Sequence, residues 1–441
     1  MKNFSSEKVS LRSFDKSYSS DVFFRRPERY KEIEKFSKDS QKLITLGSNY
    51  SYAPLAFNKK SLVIDFEQFN RILTFDKIKK EITVEAGIKI FDFLNFTLVH
   101  NLWIPQLPGY PYISLGGAVA TNAHGKSCGV DGTIRKSIKK IVLYHKNHGW
   151  LNLSNEENKE IFNLTIGGLG LTGTIVSITF NLTEFNFTDF LTTKKKMNST
   201  EDTIGNLKKN HKTKAFIYSW NTTHDLENFG KGYIFTNIPK KNERKIPKIV
   251  NIKNNNFSFP FCLWSRLTIK FFNETYSRFL DFKKEETKES FLKVIFPFVG
   301  KENYFRFFGS KGFVESQLLV PDKVLNIFLD EIKYLCKIYE PSITLFSFKI
   351  MSGEQKLLRF EGDGTCVTFD FVRNKKNLNF IEKVDQLCIK YNILPSLSKD
   401  SRINQNTFNK CYKESEIFRE KLLNFDKNRV YQSELSERLK I

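Results

Sequence analysis

Val176, Ile178, Phe180 and Leu182 alternate with Ser177, Thr179 and Asn181, a period of two that predicts a half-buried strand over 174–182. Shorter apolar runs predict further strands at 43–45, 62–66, 82–85 and 141–144, and the spacing at 91–99 predicts a helix. Between 183 and 192 the periodicity lapses, which predicts the exit from a first domain. Beyond it, 215–220 and 366–371 read as strands and 323–339 as an amphipathic helix, while the last forty residues are charged and helix-prone.

Three glycine loops punctuate the first part of this pattern. Leu46-Gly47-Ser48-Asn49-Tyr50 follows the strand at 43–45. Pro108-Gly109-Tyr110-Pro111 leads through Leu115-Gly116-Gly117-Ala118 to Asn122-Ala123-His124-Gly125-Lys126-Ser127. Gly167-Gly168-Leu169-Gly170-Leu171-Thr172-Gly173 opens the strand at 174–182. Glycine permits positive φ and lets a ligand approach the backbone, and successive exposed N–H groups form a nest suited to phosphate. No loop has the Walker lysine pattern, and none is a GxGxxG opening a helix after a first strand. Together they predict a cofactor cradle of another kind.

Composition adds limits. A chain of 441 residues with 40% hydrophobic and 27% charged positions predicts a globular protein of two or three domain-sized units. No apolar run is long enough to span a bilayer, and residues 1–8 lack the apolar stretch of a secretory signal, so the expectation is a cytoplasmic protein. Six cysteines without CxxC spacing predict reduced thiols. The net charge of +22 fits AT-rich codon usage, visible in the abundance of Lys, Asn, Ile and Phe. Its functional reading is attraction to phosphate-bearing lipid or an anionic membrane surface. No nucleic-acid motif accompanies it, so no nucleic-acid partner is expected.

The order of the loops resembles the FAD-binding domain of the vanillyl-alcohol-oxidase (PCMH-type) superfamily, and within it the decaprenylphosphoryl-ribose oxidases. The resemblance continues through Val84-Glu85-Ala86-Gly87, Trp103-Ile104-Pro105, Gly312-Phe313-Val314-Glu315-Ser316-Gln317, Phe348-Lys349 and Ser398-Lys399-Asp400-Ser401-Arg402. About 185–290 is poorly matched. The resemblance implies an α+β fold: a two-part FAD-binding domain at 1–185, a substrate (cap) domain with an antiparallel sheet at 186–399, and a C-terminal segment at 400–441 packing back on the first domain.

The same resemblance implies FAD contacts at Gly47, Ser48, Asn49, Tyr50, Pro108, Gly109, Gly116, Gly117, Asn122, His124, Gly125, Gly168, Gly173 and Ile175. Many relatives carry a flavin-linked histidine in the first loop. Ser48, Asn49 and Tyr50 stand there instead, so FAD is expected to be noncovalent, with Cys128 a small buried residue. Lys399 matches the family's active-site lysine, with His124 and Tyr50 beside it. Lys126, Trp220, Gln317, Lys349 and Thr368 match substrate-pocket positions, and Lys126 and Lys349 could pair with a lipid phosphate. No metal is implied. Lys399 could stabilise charge on the reduced ring, orient the hydroxyl or take its proton; a surface lysine before a helix N-cap at Asp400 or Ser401 is the bland alternative.

The pocket departs from the family at Cys366 and Thr368, at Glu315, where glutamine is expected, and at Ile295 and Phe298. The expected reaction is oxidation of a secondary hydroxyl, the 2'-hydroxyl of a polyprenyl-phosphate pentose, with a short-chain NAD(P)H reductase completing an epimerisation and with peripheral contact at the inner face of the membrane. A soluble aldonolactone or alditol oxidase is the first rival, and a non-catalytic lipid- or RNA-binding protein the second. The basic run at 236–256, followed by Phe257, Phe259, Phe261 and Trp264, reads as a solvated loop, or as a lid over substrate.

Overall fold

A computed structural model describes residues 7–213, 216–241 and 259–441. Most of the basic run at 236–256, with Phe257, lies outside the described residues.

The first part of the chain builds two sheets around one short helix. A four-stranded sheet runs in the order Glu7–Arg12, Ser19–Arg25, Leu62–Asp65, Leu43–Leu46, with its last two neighbour pairs parallel. A five-stranded antiparallel sheet runs Ile72–Asp76, Glu81–Glu85, Thr174–Asn181, Ile138–His145, Gly149–Leu153. Helix Leu115–Ala120 joins their core through the buried Leu115, Ala118 and Val119. It can sit so close because Gly116 carries no side chain: a Cβ there would stand 2.9 Å from the Ala86 carbonyl oxygen.

The second part is an eight-stranded sheet with every neighbouring pair antiparallel, in the order Glu286–Ser290, Asp189–Met197, Gly232–Lys240, Phe216–Asn221, Ile343–Met351, Gly364–Val372, Phe313–Val320, Leu394–Pro395. Its two faces differ. Val314, Leu318, Phe346, Phe348, Val367 and Phe369 share a core with helices Leu325–Tyr339 and Lys375–Tyr391, which bury Phe328, Ile332, Phe380 and Val384. The alternate positions, Glu315, Gln317, Thr368 and Asp370, point the other way, toward the glycine loops.

The lapse of periodicity after 182 proves to be aromatic packing rather than irregular chain. Phe185 and Phe187 close on Trp103 at 5.5 and 5.3 Å between ring centroids, and the strand Asp189–Met197 follows at once. The C-terminal segment returns to the first sheet. The Leu43 N–H donates to Val430 O, the Gln432 N–H to Leu43 O, and buried His145 lies 3.5 Å from the Asp426 carboxylate.

Candidate active site

The three glycine loops meet at helix Leu115–Ala120. Gly47 stands against its start, where a Cβ would come within 2.2 Å of Ser114 Oγ. That hydroxyl caps the helix by accepting from the Gly117 N–H and receives the Ser48 N–H as well, each at 3.4 Å. The third loop wraps the other end: the Gly167 N–H donates to Val119 O at 3.0 Å and the Leu169 N–H to Ala120 O at 2.8 Å. Asn49 and Asn122 both adopt left-handed backbone, with φ of 54° and 47°. Gly168 packs on Leu164 O, Gly173 on Tyr144 O, and Ile175 continues into the strand Thr174–Asn181. The first and third loops, far apart in the chain, are therefore joined through this helix into one cradle of turns.

From the helix the chain turns toward the second sheet. His124 Nε2 accepts from Lys349 Nζ at 2.8 Å, and the Cys128 thiol donates to Ile350 O. Gly125 lies over the Leu107 carbonyl, and Gly109, directly after Pro108, faces Ile295 O and Pro297. Burial, then the charges of Lys349 and Lys399, hold His124 well below the usual imidazole range, so the ring is neutral and accepts at Nε2. Lys126 is buried too, its ammonium bonded to Val294 O and 3.9 Å from the Tyr218 ring centroid. Burial and the charges of Lys301 and Lys349 pull it well below the ordinary lysine value.

Lys399 completes the arrangement from the loop that follows Leu394–Pro395. Its backbone neighbour Ser398 accepts from the Tyr52 and Ala53 N–H groups, which ties this loop to the first glycine loop. The Lys399 ammonium lies 3.4 Å from Glu315 Oε1 and 3.8 Å from the Tyr52 ring centroid. Asp400 is buried in an ion pair with Arg402, and the next helix, Gln405–Cys411, is capped by Asn404, so Lys399 does not precede a cap at Asp400 or Ser401. Tyr50 rests edge-on against Tyr110, with centroids 5.0 Å apart.

Behind Lys399 lies a group the sequence did not single out. Asp370 is the strand partner of Glu315, and its Oδ2 accepts from Tyr304 OH at 2.7 Å. Burial and the adjacent Glu315 push the Asp370 carboxyl well above its ordinary value, so this member of the pair holds a proton. Gln317 Nε2 donates to Thr368 Oγ1 at 3.3 Å, while Gln317 Oε1 and Asn122 Oδ1 are buried without a hydrogen-bond partner among the described residues. Unanswered acceptors of this kind mark where a bound group supplies donors.

Lys399, His124, Gln317, Lys349 and Thr368 thus share one space, and Tyr50 borders it through the Tyr52 segment. Trp220 does not join them; it lies along the same sheet against Tyr276, 4.9 Å between centroids. Asp370, Tyr52, Tyr304 and Ser114 are the additions. Asp370 sits two residues beyond Thr368 on one strand, so the period of two carried a signal for it.

Residues 23–149 match the family of FAD binding domains. The chain is 24% identical over 420 residues to the decaprenylphosphoryl-β-D-ribose oxidase of Mycolicibacterium smegmatis, covering 90% of this chain and 89% of that protein. It is 25% identical over 160 residues to the mitochondrial L-galactono-1,4-lactone dehydrogenase of Arabidopsis thaliana, 35% of this chain and 26% of the relative. With L-gulonolactone oxidase of Bos taurus it shares 27% identity over 167 residues, 36% of this chain and 38% of that protein.

Proposed function

We propose, from a chain that is an FAD-dependent oxidoreductase of the PCMH-type superfamily acting on CH–OH groups, that it oxidises a sugar secondary hydroxyl, the 2'-hydroxyl of a polyprenyl-phosphate-linked pentose, to a ketone. One observation carries the substrate: the likeness to decaprenylphosphoryl-β-D-ribose oxidase runs through 90% of the chain, whereas each lactone relative above matches about a third. A separate NAD(P)H reductase would complete the epimerisation.

The residues present fit the flavin. Gly47 of the first loop and Gly116 and Gly117 in the first turn of one helix keep its start bare of side chains, and past its far end Asn122 Oδ1 is buried without a partner among the described residues. When bound, FAD supplies the hydride acceptor. The protein's part is to hold the alcohol and receive its proton. Lys399 donates to the hydroxyl oxygen and keeps it oriented, its charge held between the Glu315 carboxylate and the Tyr52 face. Glu315, with Asp370 behind it already carrying a proton, is the nearby carboxylate to which the hydroxyl proton passes. Neutral His124, fixed by Lys349, can donate from its other ring nitrogen without adding a second cation to the pocket. Gln317 and Thr368 offer the remaining hydroxyl contacts. Lys349, closer to this space than Lys126, is the cation for a substrate phosphate.

A second reading rests on Glu315 and Thr368. A carboxylate and a hydroxyl on the pocket wall suit a free polyol, as a soluble aldonolactone or alditol oxidase would bind. Anaerobic mixing of the FAD-loaded protein with polyprenyl-phosphoryl ribose in detergent separates the two. Bleaching of the visible flavin band by the lipid-linked sugar, slowed at least about a hundredfold in Lys399→Met, is the expected outcome. Bleaching by lactones or alditols alone would transfer the assignment to the second reading.

A further inference from the structure

The helix Arg266–Phe282 shows solvent what helices ordinarily hide. Five of its large apolar side chains are exposed: Leu267 at 81%, Phe271 at 72%, Phe282 at 91%, and Phe272 and Phe279 at about half. Its buried side carries Ile269, Asn273 and Leu280. Large apolar groups left outside a packed fold mark a contact surface.

Position gives this face a meaning. The helix lies on the same side of the sheet as the site, because Tyr276 packs edge-on to Trp220 and Tyr233 OH donates to Asp281. Trp220 and Tyr218 project from alternate positions of one strand, and Tyr218 is the ring against Lys126. A continuous run of aromatic contacts also leads inward from the exposed Phe272. It passes to Trp264 at 5.5 Å, Phe308 at 6.2 Å, Phe313 at 5.1 Å and Tyr52 at 5.1 Å, the ring on which Lys399 sits. The exposed face and the candidate chemistry are two ends of one apolar wall.

Charge selects the occupant. Lys270, Arg278, Lys283 and Lys284 are exposed along the helix and just beyond it, with Glu285 and Glu286 following, and Lys283 lies over the Phe279 ring. The helix's two acids are paired, Glu274 with Lys270 and Asp281 with Lys196. The whole chain carries +22. Phenylalanines interleaved with cations on one long helix face fit the boundary between anionic headgroups and acyl chains.

We infer that the outer face of Arg266–Phe282 docks on an anionic membrane surface, where it presents the mouth of the substrate pocket to a lipid whose isoprenoid tail stays in the bilayer. The inference rests on the lipid-linked-substrate reading and extends it to the place where substrate is taken up.

Co-sedimentation of the FAD-loaded chain with phosphatidylglycerol–phosphatidylcholine vesicles, against vesicles of phosphatidylcholine alone, tests it. Wild type should bind the anionic vesicles and release in high salt. The Phe271→Ser/Phe282→Ser variant, which leaves every charge in place, should bind at least about tenfold more weakly with its flavin content unchanged. Vesicle binding that survives the double substitution would overturn the inference, as would a wild type that stays in the supernatant at low salt. So would a variant whose only change, by light scattering, is from dimer to monomer, because the face would then be a protein interface. The detergent-based flavin bleaching needs no vesicles, so failure of the substrate reading and failure of the docking surface are read separately.

Discussion

Burial first, and then Glu315 standing opposite it, push the Asp370 carboxyl well above its ordinary value, so two carboxylates there cannot both ionise cheaply. The groups facing it are Glu315, Lys399, Tyr304, Tyr52 and Thr344, of which only Lys399 is a cation. An unfolded aspartate titrates at about 3.9, while the native one titrates well above. From the unfolded value up to the native one the folded chain holds the extra proton, so stability is greatest below that window and declines as pH rises through it. In Asp370→Asn that decline should disappear, leaving a Tm that gains on wild type as the buffer is moved from about pH 5 to alkaline values. A Tm difference that stays constant with pH would show that the pair shares no proton. At this scale the sequence was informative where one residue type carries the chemistry. Lys399 and His124 stood out by their motif context, and Cys128 by its lack of one. Strand alternation pointed to Asp370 but not to its pairing with Glu315, because a contact across 55 positions, from 315 to 370, leaves no trace in local spacing, and Tyr52 and Tyr304 were not singled out.

Among elements, helix Leu115–Ala120 is the most constrained, held at one end by Ser114 and at the other by the third glycine loop. Gly116→Ala would drive a methyl to within 2.8 Å of the Ala86 side chain and 2.9 Å of its backbone oxygen. Overpacking of this sort costs about 1–3 kcal/mol, and here the displaced element is the floor of the cradle. The variant should lose bound flavin and melt several degrees lower; one purifying with full FAD content would detach the cradle from that contact. The strands at 174–182 and 366–371 were legible, since one or both faces are buried and the pattern repeats cleanly. Helix Arg266–Phe282 was not. Its phenylalanines, Phe271, Phe272, Phe279 and Phe282, all face solvent while a polar Asn273 sits on the buried side, which erases the apolar stripe that marks a helix in sequence. The strand Asp189–Met197 was hidden for a related reason: the aromatic cluster of Phe185, Phe187 and Phe190 interrupts alternation just where the strand begins.

For the molecule as a whole, the order of glycine loops, strand, loop and helix was enough to foresee an α+β flavin protein, because backbone access to a large ligand requires glycine at set places in the chain. How the cap meets the cradle was not foreseeable from local pattern; it depends on His124 with Lys349 and on Cys128 with Ile350, contacts more than 200 positions apart. The attachment of the flavin follows from the same framework. Ser48 occupies the first loop, His124 spends Nε2 on Lys349, and the Cys128 thiol donates to a backbone oxygen. Acid or heat denaturation should therefore leave all yellow colour in the supernatant, and colour retained on the precipitated polypeptide would mean a covalent bond.

The return of the C-terminal segment sets the order of events during synthesis. Leu43, at the root of the first glycine loop, shares both its backbone hydrogen bonds with Val430 and Gln432, and His145 meets its carboxylate only at Asp426. A ribosome emits these partners nearly four hundred residues after Leu43, so the first sheet waits meanwhile with an open edge at Leu43–Leu46. Flavin loading is then expected to follow the emergence of these partners, and chains stalled before 426 are expected to be clients for chaperones rather than half-built holoenzymes.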